Sequence, residues 1–209
     1  MRQIIMKKTL ATFLLGTVLA GTAGRAGEAV KPCCADDVKG VTQAAQLSSR
    51  SIYQADSTWT DDAGRPVKLA SLKGRPVVLA MFFTNCEFAC PIIVGNMMRI
   101  QEALPPESRA NARFVLVSFD SERDTPAALR IYRERMRLGT AWVLLHGQPD
   151  DVRELAMVLG VKYARDSRGQ FAHSNLITVL NSAGEIAYRL AGLESDISAA
   201  EQAVIAAAR

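Results

Sequence analysis

Pro76-Val77-Val78-Leu79-Ala80-Met81-Phe82-Phe83 runs without a break into Thr84-Asn85-Cys86-Glu87-Phe88-Ala89-Cys90-Pro91. The first eight residues are apolar, follow Gly74-Arg75, and read as a buried strand. Residues 92–104 read as a helix. Met97, Met98, Ile100 and Leu104 form its apolar stripe, and Pro105-Pro106 stops it. Two thiols thus stand at i and i+4 where a core strand gives way to a helix. Within one first turn they would share a face, with side chains about 5–6 Å apart. The unpaired N–H groups and positive end of the helix favour thiolate there. Pro91 suits such a turn, where its missing N–H costs little. The competing reading is a pair of buried cysteines acting as small hydrophobes. Cys33 and Cys34 are the only other cysteines, so general cysteine richness does not account for the pair.

Working outward, Phe114-Val115-Leu116-Val117-Ser118-Phe119 reads as a second buried strand, followed by Asp120-Ser121-Glu122-Arg123-Asp124-Thr125-Pro126. Asp124 or Thr125 can cap a helix from Pro126 to about Leu138. Its Arg130, Arg133, Arg135 and Arg137 are expected on a solvated face. Residues 142–145 make a third strand, and Asp150 or Asp151 opens a helix that Gly160 can end. A short strand at 161–163 and a polar loop at 166–170 follow. Residues 176–180 and 185–190 flank Asn181-Ser182-Ala183-Gly184 as a hairpin. A helix over 195–208 closes the chain. Upstream, residues 57–60 and 67–69 read as a short antiparallel hairpin, with Trp59 in the core. This order predicts an α/β domain over residues 57–209: a central mixed sheet flanked by helices, with an additional N-terminal hairpin.

Residues 1–26 have the layout of an export signal. Arg2, Lys7 and Lys8 precede an uncharged, mostly apolar stretch at 9–21, with small-residue cleavage sites after Ala23 or Ala26. That stretch is shorter than the roughly 20 residues of a membrane span; left uncleaved it would serve as an anchor. The signal implies the periplasm of a bacterial cell or the outer face of its cytoplasmic membrane, where disulfides persist. Residues 27–56 read as a flexible leader carrying Cys33-Cys34, which is either a mobile metal-exchanging thiol pair or an exposed pair without a function. The formal charge of +4 comes from residues 1–26. Cleavage after Ala26 removes four of the 25 basic residues and none of the 21 acidic ones, leaving 21 of each. The basic balance therefore carries no argument for nucleic acid.

Only two histidines are present. His146 ends a strand and reads as a loop-edge residue. His173 follows the polar loop at 166–170, which could return it over the sheet beside the cysteines. Two sulfurs and an imidazole suit copper, zinc accepts the same atoms, and an iron–sulfur cluster asks for more thiolates. The helical spacing of Met97 and Met98 favours core packing over thioether ligation.

Three separated segments resemble the Sco/SenC family: residues 84–91, residues 117–126, and Phe171-Ala172-His173-Ser174 with the strand and Gly-containing turn after it. The similarity spans residues 57–193. It implies a thioredoxin-like fold, copper as Cu(I) or Cu(II), and Cys86, Cys90 and His173 as the copper ligands. It also implies Asp120 as an acidic neighbour that tunes redox state or transfer without ligating. The implied partner is the copper-bearing subunit of cytochrome c oxidase, to which copper is delivered as its binuclear copper centre matures. A thiol reductant or an upstream copper donor would serve the site. The alternatives are a thiol–disulfide oxidoreductase that reduces a partner's copper-site cysteines, with Cys86 and Cys90 as its redox pair, and a copper store. Two positions depart from the family pattern. Ser121 stands where proline is usual, and Ala172 stands where an acidic residue often precedes the histidine, so weaker support of the metal is expected there.

Overall fold

All six residues of the central strand, Val77–Phe82, are buried. In a computed structural model describing residues 48–167, 169–193 and 196–208, this strand is third of nine. The chain runs β1 (Trp59–Asp61), β2 (Pro66–Val67), β3 (Val77–Phe82), α1 (Ala89–Ala103), α2 (Pro106–Asn111) and β4 (Arg113–Ser118). It continues through α3 (Pro126–Arg135), β5 (Trp142–His146), α4 (Pro149–Leu159), β6 (Tyr163–Arg165), β7 (Phe171–His173), β8 (Leu176–Leu180), β9 (Ile186–Ala191) and α5 (Ser198–Ala207). Among the described residues, no helix is long and apolar enough to cross a membrane. The export signal expected at residues 1–26 and the pair Cys33-Cys34 lie outside the described residues.

Seven strands form one sheet in the order β2-β1-β5-β4-β3-β8-β9. β3, β4 and β5 are parallel to one another, whereas β8 pairs antiparallel to β3. α1 and α5 pack together over β3 and β8, and α3 lies against β5 and β1. This is the predicted mixed sheet with flanking helices, a thioredoxin-like arrangement, and the N-terminal hairpin β1–β2 is attached to the edge of β5. The topology determines where chemistry can occur. Parallel strands end together, so the loops after β3 and β4 meet at one rim of the sheet. β8 runs the other way and starts at that rim, with Ile177 opposite Ala80. Residues just before β8 are thereby brought to the segment just after β3.

Trp59 is fully buried, as expected, and lies so close to Gly147 that a Cβ there would come within 2.4 Å of its ring. Within the described part of the expected leader, residues 48–56, the chain packs on the domain. Ile52 and Tyr53 are buried, the Ile52 N–H donates to the Gly184 carbonyl (3.0 Å), and the Tyr53 ring fills the space over that glycine. Gly184 also needs its φ of +80°, which closes the β8–β9 turn. α3 ends at Arg135 rather than near Leu138, because Arg137 takes a left-handed φ of 54° and turns the chain away. The basic face of α3 is only partly solvated. Arg133 pairs with Asp62 in the β1–β2 turn at 2.5 and 2.8 Å, fastening the helix to the hairpin, while Arg130 and Arg137 are exposed.

Candidate metal centre

β3 ends at Phe82, and the chain turns through Thr84 and Asn85 into a helix that begins at Ala89. The helix therefore starts earlier than predicted, and only Cys90 is inside it; Cys86 sits just before. Nothing in the sequence supplies a conventional cap, since Phe88 at the N-cap makes no side-chain hydrogen bond. The Cys86 sulfur takes that place, accepting from the Cys90 N–H at 3.2 Å. The Cys86 N–H in turn donates to the Phe83 carbonyl at 3.2 Å. The two residues are thus fixed by one local turn. Cys90 is fully buried, and Cys86 is half-buried.

His173 reaches them from a two-stranded arm, β6–β7, in which Tyr163 pairs with His173 and Arg165 with Phe171. The sequence placed His173 after a loop; it is the last residue of a strand. Its Nε2 lies 3.7 Å from the Cys90 sulfur and 3.9 Å from the Cys86 sulfur. Nδ1 donates to the Ser174 carbonyl at 3.1 Å, which leaves Nε2 as the ring nitrogen turned to the sulfurs. Phe83 meets the imidazole edge-on at 6.1 Å, and Phe119 lies tilted against it at 5.2 Å. Such ring pairs contribute about 0.5–1.5 kcal/mol each, enough to fix the ring plane.

The three donor atoms lie within 4.8 Å of one another. A metal about 2.3 Å from a sulfur and about 2.0 Å from a nitrogen, with its ligands in a trigonal plane, separates those atoms by roughly 3.7 Å. The observed 3.7 and 3.9 Å match that nitrogen–sulfur spacing. Cys86, Cys90 and His173 form a cluster capable of coordinating a metal ion.

The sulfurs are not equivalent. The hydrogen bond from the Cys90 thiol, the contact with His173 and the N–H groups of Cys90 and Phe88 lower the Cys86 thiol to about 4, against the opposing effect of partial burial. Cys90 moves the opposite way, because it keeps its proton on Cys86's behalf and is buried. Alkylation of the reduced, metal-free protein is therefore expected to modify Cys86 already at pH 6, with a rate that rises through pH values near 4 and then levels. Cys90 should stay unmodified while the protein is folded. A Cys86 profile that climbs only above pH 8 would contradict the thiolate.

Asp120 is not part of the cluster. Its buried carboxylate receives the Arg123 side chain, and Arg123 also donates to the Gly169 carbonyl at the tip of the His173 arm. Glu122 pairs with Arg165 on the arm at 2.5 Å. The loop after β4 thus grips the arm from two points, and Asp120 acts through Arg123 as a positioning residue. Ala172 is exposed and alternates in facing with Phe171 and His173, so the histidine takes its support from Ser174 rather than from position 172. Ser121 lies in a turn at residues 121–123, with its hydroxyl buried and unpartnered. His146 pairs with Thr60 of β1 and stands apart from the cluster, as expected of it.

The residue that sequence reading missed is Asp124, which was assigned at most a capping role. Thr125 is the cap, accepting from the Ala128 N–H. Asp124 is fully buried and accepts from the Thr84 N–H (2.9 Å), the Thr84 hydroxyl (2.5 Å) and the Ser118 hydroxyl (2.5 Å). Burial raises its carboxyl pKa even against those hydrogen bonds. It fixes the first residue of the cysteine loop to the end of β4.

A family model described as SCO1/SenC matches residues 45–207. The chain belongs to the SCO1/SenC family. A SCO1/SenC family lipoprotein from Bacillus anthracis superposes with a TM-score of 0.66 at 22% identity, covering 73% of this chain and 92% of that one. BsSco, described as a member of the Sco family of cytochrome c oxidase assembly proteins with a disulfide switch, superposes with a TM-score of 0.63 at 26% identity. That match covers 72% of this chain and 90% of BsSco. A Stutzerimonas stutzeri protein named for copper binding is 30% identical over 130 residues, 60% of this chain. The matched part is 63% of that relative, short of two thirds of its length.

Proposed function

We propose that this SCO1/SenC protein is a copper chaperone. It would carry copper between Cys86, Cys90 and His173 as cargo and deliver it to the copper-bearing subunit of cytochrome c oxidase as the binuclear copper centre matures. The observation that carries this reading is the convergence of two sulfurs and one imidazole nitrogen within 4.8 Å. Thiolates are soft donors that suit Cu(I), and the imidazole extends the set to Cu(II). Oxidation of the pair to a disulfide would remove two of three ligands, which couples release to redox state; a disulfide switch is named for BsSco. The export signal at residues 1–26 supports a site of action outside the cytoplasmic membrane.

One observation favours a second reading, a thiol–disulfide oxidoreductase acting on the partner's copper-site cysteines. A half-buried sulfur held as thiolate beside a fully buried thiol is the division of labour of an attacking and a resolving cysteine. Incubation of an apo oxidase copper-domain fragment with copper-loaded protein, and separately with metal-free reduced protein, distinguishes them. The chaperone reading expects copper to appear on the fragment in the first mixture. New fragment thiols in the second mixture, with no copper transfer in the first, would replace it with the reductase.

A further inference from the structure

The Cys86 sulfur is a wall shared by two clefts. One is apolar and contains Phe83, Phe88, Phe171 and His173. The other, about 470 Å³, is lined by Thr84, Asn85 and Cys86 of the cysteine loop and by Tyr132, Arg135 and Met136 at the end of α3. That volume is in the range of small-molecule sites, roughly 300–1,000 Å³. Its charged lining residues are Arg123, Arg135 and the exposed Glu87, which makes no ion pair with Arg135 among the described residues. The exposed Arg135 guanidinium lies 4.9 Å above the Tyr132 ring and donates once, to the Thr84 carbonyl at 2.9 Å. No carboxylate pairs with it among the described residues. The Tyr132 hydroxyl is buried and makes no hydrogen bond. Arg123, on the same wall, is by contrast already committed to Asp120 and Gly169.

We infer that this cleft is a subsite for a small thiol bearing a carboxylate, which docks on Arg135 and reduces the oxidised Cys86–Cys90 pair. The inference rests on the redox-coupled dithiol described under Proposed function. Access selects the sulfur: Cys90 is fully buried, whereas Cys86 lines the cleft. The docked thiolate attacks the Cys86 sulfur. A bond forms between the two, the Cys86–Cys90 bond breaks, and the electron pair passes to the Cys90 sulfur, which takes up a proton. A second small thiol attacks the small-molecule sulfur of the mixed disulfide and frees Cys86. Two thiols are oxidised to one external disulfide, and the protein disulfide is reduced to two thiols. A guanidinium binds a carboxylate through paired N–H donors, which a neutral or cationic thiol cannot use.

The test uses full-length oxidised protein and three probes: glutathione, 2-mercaptoethanol and cysteamine, compared at equal thiolate concentration and low salt. Reduction is followed by mass-mapped alkylation of Cys86 and Cys90, which separates them from Cys33 and Cys34. Glutathione is expected to react fastest with the wild type. Arg135→Gln should slow glutathione by about tenfold, the lower end of electrostatic steering, and leave 2-mercaptoethanol within about twofold. Arg135→Lys should recover most of the glutathione rate. An equal fall for glutathione and 2-mercaptoethanol would assign Arg135 to holding the Thr84 loop alone and overturn the subsite, as would an unchanged glutathione rate. Copper titration of the reduced wild type, run in parallel, tests the metal reading separately, since the rates of disulfide reduction do not depend on it.

Discussion

Cys90→Ser is expected to abolish copper binding at the cluster of the reduced protein, and Cys86→Ser to do the same. Each removes one of the cluster's two soft donors, and a hydroxyl does not replace a thiolate for Cu(I). The loss should exceed the roughly 10–100-fold that removal of an outer-shell partner costs a metal site. Cys86→Ser has an added consequence, because its sulfur accepts the Cys90 N–H at the start of α1. The serine oxygen can still accept there, so the helix is expected to form and the defect to lie in the metal alone. His173→Ala should behave differently. The sulfur pair survives and can hold Cu(I) between two thiolates, whereas Cu(II) loses its borderline nitrogen ligand. Titration of both oxidation states against the three variants, with absorption in the thiolate-to-copper region, resolves the pattern. Full stoichiometry of tightly held copper in either cysteine variant would dismantle the assigned site.

Asp124→Ala is expected to be the most damaging single change away from the sulfurs. Thr84 N–H, Thr84 Oγ1 and Ser118 Oγ all donate to that carboxylate, and all three would be left facing a cavity. An unmet buried donor costs about 1–3 kcal/mol, so a loss on the order of 3 kcal/mol or more is expected even with partial relaxation. Urea unfolding of the metal-free protein measures it. The cysteine loop hangs from Thr84, so copper affinity should fall together with stability. Asp124→Asn, which keeps the shape and one acceptor oxygen, should lose less of both. A destabilisation below about 1 kcal/mol in Asp124→Ala would show that water replaces the carboxylate, and the loop would then need another anchor.

The sheet and the cysteine pair were legible because their signals are local and repetitive. β3 is an uninterrupted apolar run, β4 carries one at residues 114–117, and the turn between β8 and β9 carries Asn181 and Gly184 at the positions that its hydrogen bonds require. α2 was invisible because it buries no residue and so has no apolar stripe to read. The β6–β7 arm was half read, since the short strand expected at 161–163 lies at Tyr163–Arg165 and β7 escaped, because each strand is three residues long and pairs only with the other. Three residues are too few to show an alternation. His173 could be named as a candidate but not given its mounting. Asp120, Arg123 and Asp124 fall within five residues of one loop, and the stretch itself does not distinguish their tasks. Their separate tasks, two of them gripping the arm and one supporting the cysteine loop, depend on burial and on partners 40 and 46 residues away. No spacing rule reports that.

The separation of the donors along the chain sets the order in which the site can be built. The two sulfurs are four residues apart and come into register as soon as α1 grows out of β3, a contact of the lowest order. The imidazole is 87 and 83 residues from them. It arrives only after β4, β5 and the arm are in place, late on any folding route that closes short loops first. A partly folded chain therefore already displays a dithiol while it still lacks the third donor. During that interval the pair is exposed to oxidation and to any soft metal with two-coordinate habits. Docking of the arm is the event that ends the interval, which makes the grip of Arg123 on Gly169 a determinant of how cleanly the protein matures as well as of how it holds its cargo.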